Sequence, residues 1–169
     1  VYKRQPLLTW PETLVVVWIV VGTLLCASTL TWQARRFRRV VRSGQDADPA
    51  LAKRVRRLAD RLGLRRVPRV IVVDATVSPA VWTAWPASRL VLPARLLEQL
   101  APAELDSILL HELAHAARRD HWVRPLECAA MCIYWWLPLL WWFRRELRDA
   151  EEQSCDALVV RVLGEPQRV

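Results

Sequence analysis

The chain has 169 residues, a formal net charge of +8 and 53% hydrophobic residues, one domain's worth of sequence with enough apolar content for a real core. Its four cysteines include no CxxC pair: Cys26, Cys128 and Cys132 sit in apolar stretches and Cys155 in a polar run. They are read as reduced structural thiols, which excludes a disulfide scaffold.

Residues 1–12 form a flank. Val1 to Gln5 lacks an initiator Met and is similar to translated adapter sequence. Thr13 to Trp32 is a run of 20 uncharged, mostly aliphatic residues, enough for one bilayer crossing. Trp10 and Trp32 bracket it, ~33 Å apart on a straight helix, where indoles match the two interfaces. A buried soluble helix is the competing reading, which apolarity all round this length disfavours. A signal peptide would need a nearby small-residue cleavage site and a different exit.

Residues 33–48 read as a basic juxtamembrane linker, and residues 49–169 as the following domain. Arg35, Arg36, Arg38, Arg39 and Arg42 place the C-terminal side in the cytoplasm by the positive-inside rule. Between residues 33 and 69 there are 13 Lys or Arg against 3 Asp. That surplus begins at the membrane exit and no DNA or RNA motif accompanies it, so anionic lipid is the expected partner and direct nucleic-acid binding is not. Pro49 to Leu62 reads as a basic amphipathic helix closed by Gly63. Its stripe of Leu51, Val55, Leu58, Ala59 and Leu62 suits a helix lying near a membrane surface.

Arg69–Val73 and Arg89–Leu92 read as short strands joined by a loop, Thr76–Ala87, with two prolines and two tryptophans. Helices are expected at Ala94–Leu100, Ala103–Arg119 and Arg144–Leu163. Between the last two, Cys128 to Phe143 offers 16 uncharged residues around Pro138, too few for a comfortable span. The predicted form is an interfacial or buried pair of helical pieces broken at Pro138, with tryptophans at headgroup depth. The fold class is α+β and mainly helical, with a transmembrane helix ahead of a domain that places a small sheet before the Ala103–Arg119 helix.

The chemistry is concentrated in His111-Glu112-Leu113-Ala114-His115, an HExxH pattern on the predicted Ala103–Arg119 helix. Histidines four apart lie one above the other on a helix face and can grip one zinc ion, with Glu112 between them as general base. A surface helix that happens to carry two histidines is the plainer alternative. A catalytic zinc needs a third protein ligand, and the downstream candidates are Glu146, Asp149, Glu151, Glu152 and Asp156. Glu146 and Asp149 suit a solvated, ion-paired face. Glu152 and Asp156, four apart, share a helix face, as a ligand and an imidazole-orienting carboxylate would. Asp120 has either such an orienting role or a pairing with Arg118 or Arg119. His121 is a weak oxyanion candidate and more plainly a surface histidine.

The run His111–His121 (HELAHAARRDH), followed by Arg144-Arg145-Glu146-Leu147 and by Glu152-Gln153-Ser154-Cys155-Asp156, resembles the BlaR/MecR family of bacterial membrane metallopeptidases over residues 20–165. The resemblance implies zinc on His111, His115 and Glu152, with Glu112 as the base. Ser78–Val81 and Leu90–Pro93 are similar to that family's strands before the active site. A departure is Trp82-Thr83, where relatives usually place a glycine. The same resemblance makes Arg89–Leu92, including Arg89 and Val91, the strand expected to pair with an extended peptide substrate.

The function expected is that of a zinc endopeptidase anchored in the bacterial plasma membrane with a cytoplasmic active site. The resemblance implies a signal-triggered cut in a cytoplasmic protein such as a transcriptional repressor. The alternatives are an HtpX-like quality-control peptidase and a non-catalytic zinc-binding signalling or scaffold module. The chain is expected to be a fragment of a longer protein.

Overall fold

The computed structural model describes residues 10–84 and 87–164, excepting the side chains of Thr83, Ala84, Ala87 and His121. The first helix, α1, runs without a break from Trp10 to Ser43, and none of its residues is buried. It is long and apolar enough to cross a membrane. The sequence reading ended the helix at Trp32 and placed a linker after it. Instead the arginines continue the helix, because Arg is a good helix former and the residues between them have a surface to pack on. Phe37 stacks on Trp82 with ring centroids 5.2 Å apart, and Val40 and Val41 pack on the sheet.

The chain leaves α1 through Gly44 into a two-residue strand, β1 (Gln45–Asp46). A Cβ at Gly44 would overlap Cγ2 of Ile71 and lie 3.1 Å from Cγ1 of Val73. Gly44→Ala is therefore expected to lower stability by about 1–3 kcal/mol, as overpacking does. Thermal unfolding in detergent, wild type against variant, checks this; an unchanged midpoint would show that helix and sheet are not in contact there.

Helix α2 (Pro49–Arg61) starts on Asp48, whose carboxylate accepts from the Ala50 N–H at 3.2 Å, and Pro49 occupies the first turn. Gly63, at φ +68°, takes the left-handed conformation that turns the chain away after it. Its apolar stripe does not face a membrane. Val55, Leu58 and Ala59 are buried in the main core, with Leu51 and Leu62 packed at its margin. An amphipathic helix buries its stripe wherever apolar surface is nearest, and here that surface is the sheet and the helix Pro102–Arg118.

The sheet has the order β1-β2-β4-β3, with β2 (Arg69–Val73) parallel to β4 (Ala87–Pro93) and the outer strands antiparallel to their neighbours. The expected loop Thr76–Ala87 contains β3 (Ala80–Ala84), a correction to the loop assignment, while the resemblance of Ser78–Val81 to a strand overlaps its start. Pro79 lies just outside the strand, where a missing N–H breaks no ladder bond. On one face of the sheet Leu90 and Leu92 join Leu105, Leu109, Leu110 and Leu113 in the main core. On the other, Ile71, Val73 and Val91 meet Val40 and Val41 of α1.

After a short α3 (Ala94–Gln99) comes α4 (Pro102–Arg118), with proline in its first turn and the Ala101 N–H donating to Glu104 at 2.9 Å. A 3-10 turn (Asp120–Trp122) leads into α5 (Val123–Ile133), and α6 (Pro138–Gly164) follows a four-residue turn. The apolar stretch is thus two helical pieces, and Pro138 opens the second of them, where proline fits the first turn. Helix α6 packs along α4, and α5 along α1. The architecture is mainly helical with a small mixed sheet.

Candidate metal centre

His111 and His115 project from one face of α4, their rings edge to face with centroids 5.1 Å apart. Glu152 reaches them from α6. Its Oε2 lies 3.0 Å from His111 Nε2 and its Oε1 3.9 Å from His115 Nε2. The other ring nitrogens also face carboxylates. Asp156 Oδ1 lies 2.9 Å from His111 Nδ1, and Asp120 Oδ2 lies 2.8 Å from His115 Nδ1. A neutral imidazole has one N–H. With that proton on Nδ1 and bonded to an aspartate, each Nε2 presents a lone pair towards Glu152.

Lone pairs and a carboxylate do not approach within 3 Å unless a proton or a cation lies between them. The donor set therefore fits a metal ion. Zinc holds such ligands at ~2.0–2.2 Å in a tetrahedron, which sets neighbouring ligand atoms ~3.3 Å apart. The 3.0 and 3.9 Å separations bracket that value. A histidine whose other nitrogen is held by a carboxylate is also the usual form of a metal-bound histidine.

Glu112 lies one residue along α4, next to β3, and its carboxylate accepts from the backbone N–H of Val81. Burial raises its pKa above the ordinary carboxylate range, opposed by His115, His111 and the Val81 N–H and assisted by the negative charge of Glu152. A carboxylate held there is a stronger base than one in water.

A match to the family described as BlaR1 peptidase M56 extends over residues 3–169. The chain belongs to the BlaR1 peptidase M56 family. Over 74 residues, 44% of this chain and 12% of the relative, it is 32% identical to the "Regulatory protein BlaR1" of Bacillus licheniformis. Over 158 residues it is 23% identical to the "Methicillin resistance mecR1 protein" of Staphylococcus aureus, and equally to that of Staphylococcus epidermidis. That match takes in 92% of this chain but only 26% of the relative, so the chain spans about a quarter of the length of those proteins.

In this M56 chain the remaining candidates separate cleanly. Glu151 is buried and accepts from Arg124 Nη2 at 2.6 Å. Asp120 makes both contacts that were weighed for it, holding His115 and meeting Arg118 Nε at 3.4 Å. Arg89 sets its guanidinium over the Phe37 ring, 5.5 Å from its centroid, and Val91 is buried on the α1 side of the sheet. Neither side chain points at the histidines. Nor can Arg89–Leu92 offer an edge, because β4 is paired on both sides. The outer strand beside the site is β3, and Val81 is turned to Glu112. The side chain of His121 lies outside the described residues.

Two features have no counterpart in the sequence reading, the backbone turn at Arg119 and a contact of Cys155. Asp120 can reach His115 because Arg119 adopts φ 64°, a conformation that nothing in Arg-Arg-Asp-His announces. The buried Cys155 places Sγ 3.4 Å from His115 Nδ1. Burial, assisted by Asp120, raises its thiol to about 11, so it stays protonated and packs as a small apolar group. Its position three residues after Glu152 was the available signal.

Proposed function

We propose that the chain carries the catalytic centre of a membrane-anchored zinc endopeptidase. The active site faces the cytoplasm of a bacterial cell, and the substrate is a cytoplasmic regulatory protein, such as a transcriptional repressor. The observation that carries this reading is the convergence of both histidine Nε2 atoms on Glu152, with Glu112 alongside. The names of the relatives, a regulatory protein and a resistance protein, support the signalling role. The arginine-rich end of α1 supports the cytoplasmic placement.

His111, His115 and Glu152 would hold the ion, and Asp156 and Asp120 keep the two imidazoles in the tautomer that leaves Nε2 free. Bound there, zinc supplies Lewis acidity, polarising the scissile carbonyl and acidifying water. Glu112 accepts the proton of the attacking water and passes it to the leaving amine, which its raised basicity and its place beside the histidines both favour. The free edge of β3 can pair with an extended peptide, and this directs the scissile bond past Glu112.

The test is proteolysis of an unfolded, casein-type substrate by the detergent-purified chain, before and after chelation. Cleavage that stops on chelation and returns with one equivalent of zinc is expected; cleavage indifferent to chelation would refute the proposal. Asp156→Ala is expected to weaken zinc binding ~10–100-fold, as loss of an orienting carboxylate does. Competition with a chromogenic chelator measures it, and unchanged affinity would remove Asp156 from the site.

A further inference from the structure

We propose that α5, the turn 134–137 and the first turns of α6 form a re-entrant loop, which enters the bilayer beside α1, stops about halfway and returns to the same side. The partner of its exposed surface is lipid hydrocarbon. This rests on α1 being the membrane anchor. It differs from the expectation of an interfacial or buried pair with tryptophans at headgroup depth.

Contacts along α1 set the depth. Cys128 Sγ lies 3.6 Å from Thr29 Oγ1, the Cys132 carbonyl oxygen would lie 2.7 Å from a Cβ at Gly22, and the Ile133 carbonyl accepts from Trp18 Nε1 at 2.8 Å. The close backbone approach, Cys132 against Gly22, lies ten residues from Trp32 along α1, a rise of ~15 Å. That is half of a hydrocarbon core of ~30 Å. Gly22 permits the approach, since any side chain there would meet the backbone of α5.

Charge and hydrogen bonding agree with that depth. Arg124, Glu127 and Arg144 lie at the base of the loop, where Arg124 Nη1 donates to Glu127 at 3.1 Å. Between Glu127 and Arg144 the sequence has no charged residue. Trp136, Leu139, Trp141, Trp142 and Phe143 are each more than half exposed, a patch that a water-facing surface rarely carries.

A turn inside hydrocarbon must satisfy its own carbonyls, and this one does so at several points. The Tyr134 N–H bonds the Ala130 carbonyl, the Leu137 N–H that of Tyr134, and the Leu140 N–H that of Leu137. Two indoles add to these: Trp18 bonds the Ile133 carbonyl and Trp141 that of Trp135, at 3.4 Å. A turn exposed to water has no need of indole donors for its carbonyls.

The experiment is depth measurement in nanodiscs by nitroxide power saturation with oxygen and a nickel chelate. Single cysteines are placed at Val20, Trp32, Trp136 and Arg145 in the chain with its native cysteines changed to alanine. We expect the oxygen-to-nickel ratio at 136 to match that at 20, several-fold above those at 32 and 145. A ratio at 136 equal to that at 32 would overturn the proposal in favour of a surface-lying pair. Labelling of 136 by an impermeant thiol reagent from the outer face would overturn it in favour of a full crossing. A low ratio at 20 would instead refute the anchor itself. Hydrogen exchange of the unsubstituted chain in nanodiscs gives an independent readout: amides 134–137 are protected if the turn lies in hydrocarbon, and exchange within seconds if it lies in water.

Discussion

Glu112→Gln is expected to reduce peptide hydrolysis by about 10²–10⁴-fold, the share that a positioned general base contributes, while zinc content stays at one per chain. Gln keeps the shape and can still accept from the Val81 N–H, so neither the packing of α4 on β3 nor the three proposed ligands should change. What is lost is the ability to take a proton from water. The measurement is kcat on a peptide substrate alongside metal analysis of the same sample. Undiminished hydrolysis would show that the base lies elsewhere. Loss of zinc together with activity would make Glu112 part of the binding site.

The second large effect separates two adjacent glutamates on α6. Glu152→Ala is expected to weaken zinc binding by more than the ~10–100-fold cost of losing an orienting group, because it removes a direct ligand. Its side chain is 56% exposed and, among the described residues, its ion pairs are with the two histidines, so the metal-free protein should unfold at nearly the wild-type temperature. Glu151→Ala should do the reverse. That side chain is 4% exposed and bonded to Arg124, and removing it leaves a part-buried guanidinium short of an acceptor. Its loss is expected to cost about 1–3 kcal/mol of stability, with zinc affinity nearly unchanged. Isothermal titration with zinc and thermal unfolding of the metal-free variants measure both; a reversed pattern would exchange the roles of the two residues.

The features legible in the sequence are those that local spacing determines. Proline at the start, helical periodicity and the four-residue interval between histidines place His111 and His115 on one face of α4. The same interval between Glu152 and Asp156 brings both to His111 from α6. Features that depend on distant packing are less legible. Two prolines made β3 look like a loop, although Pro79 lies just outside the strand. Without β3, β4 appears to be an edge, and the position facing a peptide is assigned to the wrong strand. The stripe on α2 is the same whether it faces lipid or a core, and only the location of the sheet decides between them. The arginines after Trp32 mark the end of the apolar span, yet a helix can outlast its hydrophobic segment when Phe37, Val40 and Val41 find a sheet to cover. Asp120 depends on one backbone angle at Arg119, which no periodicity encodes.

The zinc-loaded chain offers the most direct check on the centre, through zinc-edge X-ray absorption. Besides the proposed triad, His115, Asp120 and Cys155 form a second cluster close enough to hold an ion. The two alternatives differ in sulfur. Ligation by His111, His115 and Glu152 predicts a first shell of nitrogen and oxygen alone at ~2.0–2.2 Å, with imidazole scattering from two rings and the fourth position left to water. A zinc–sulfur distance of ~2.3 Å would place the ion on Cys155 and contradict the account.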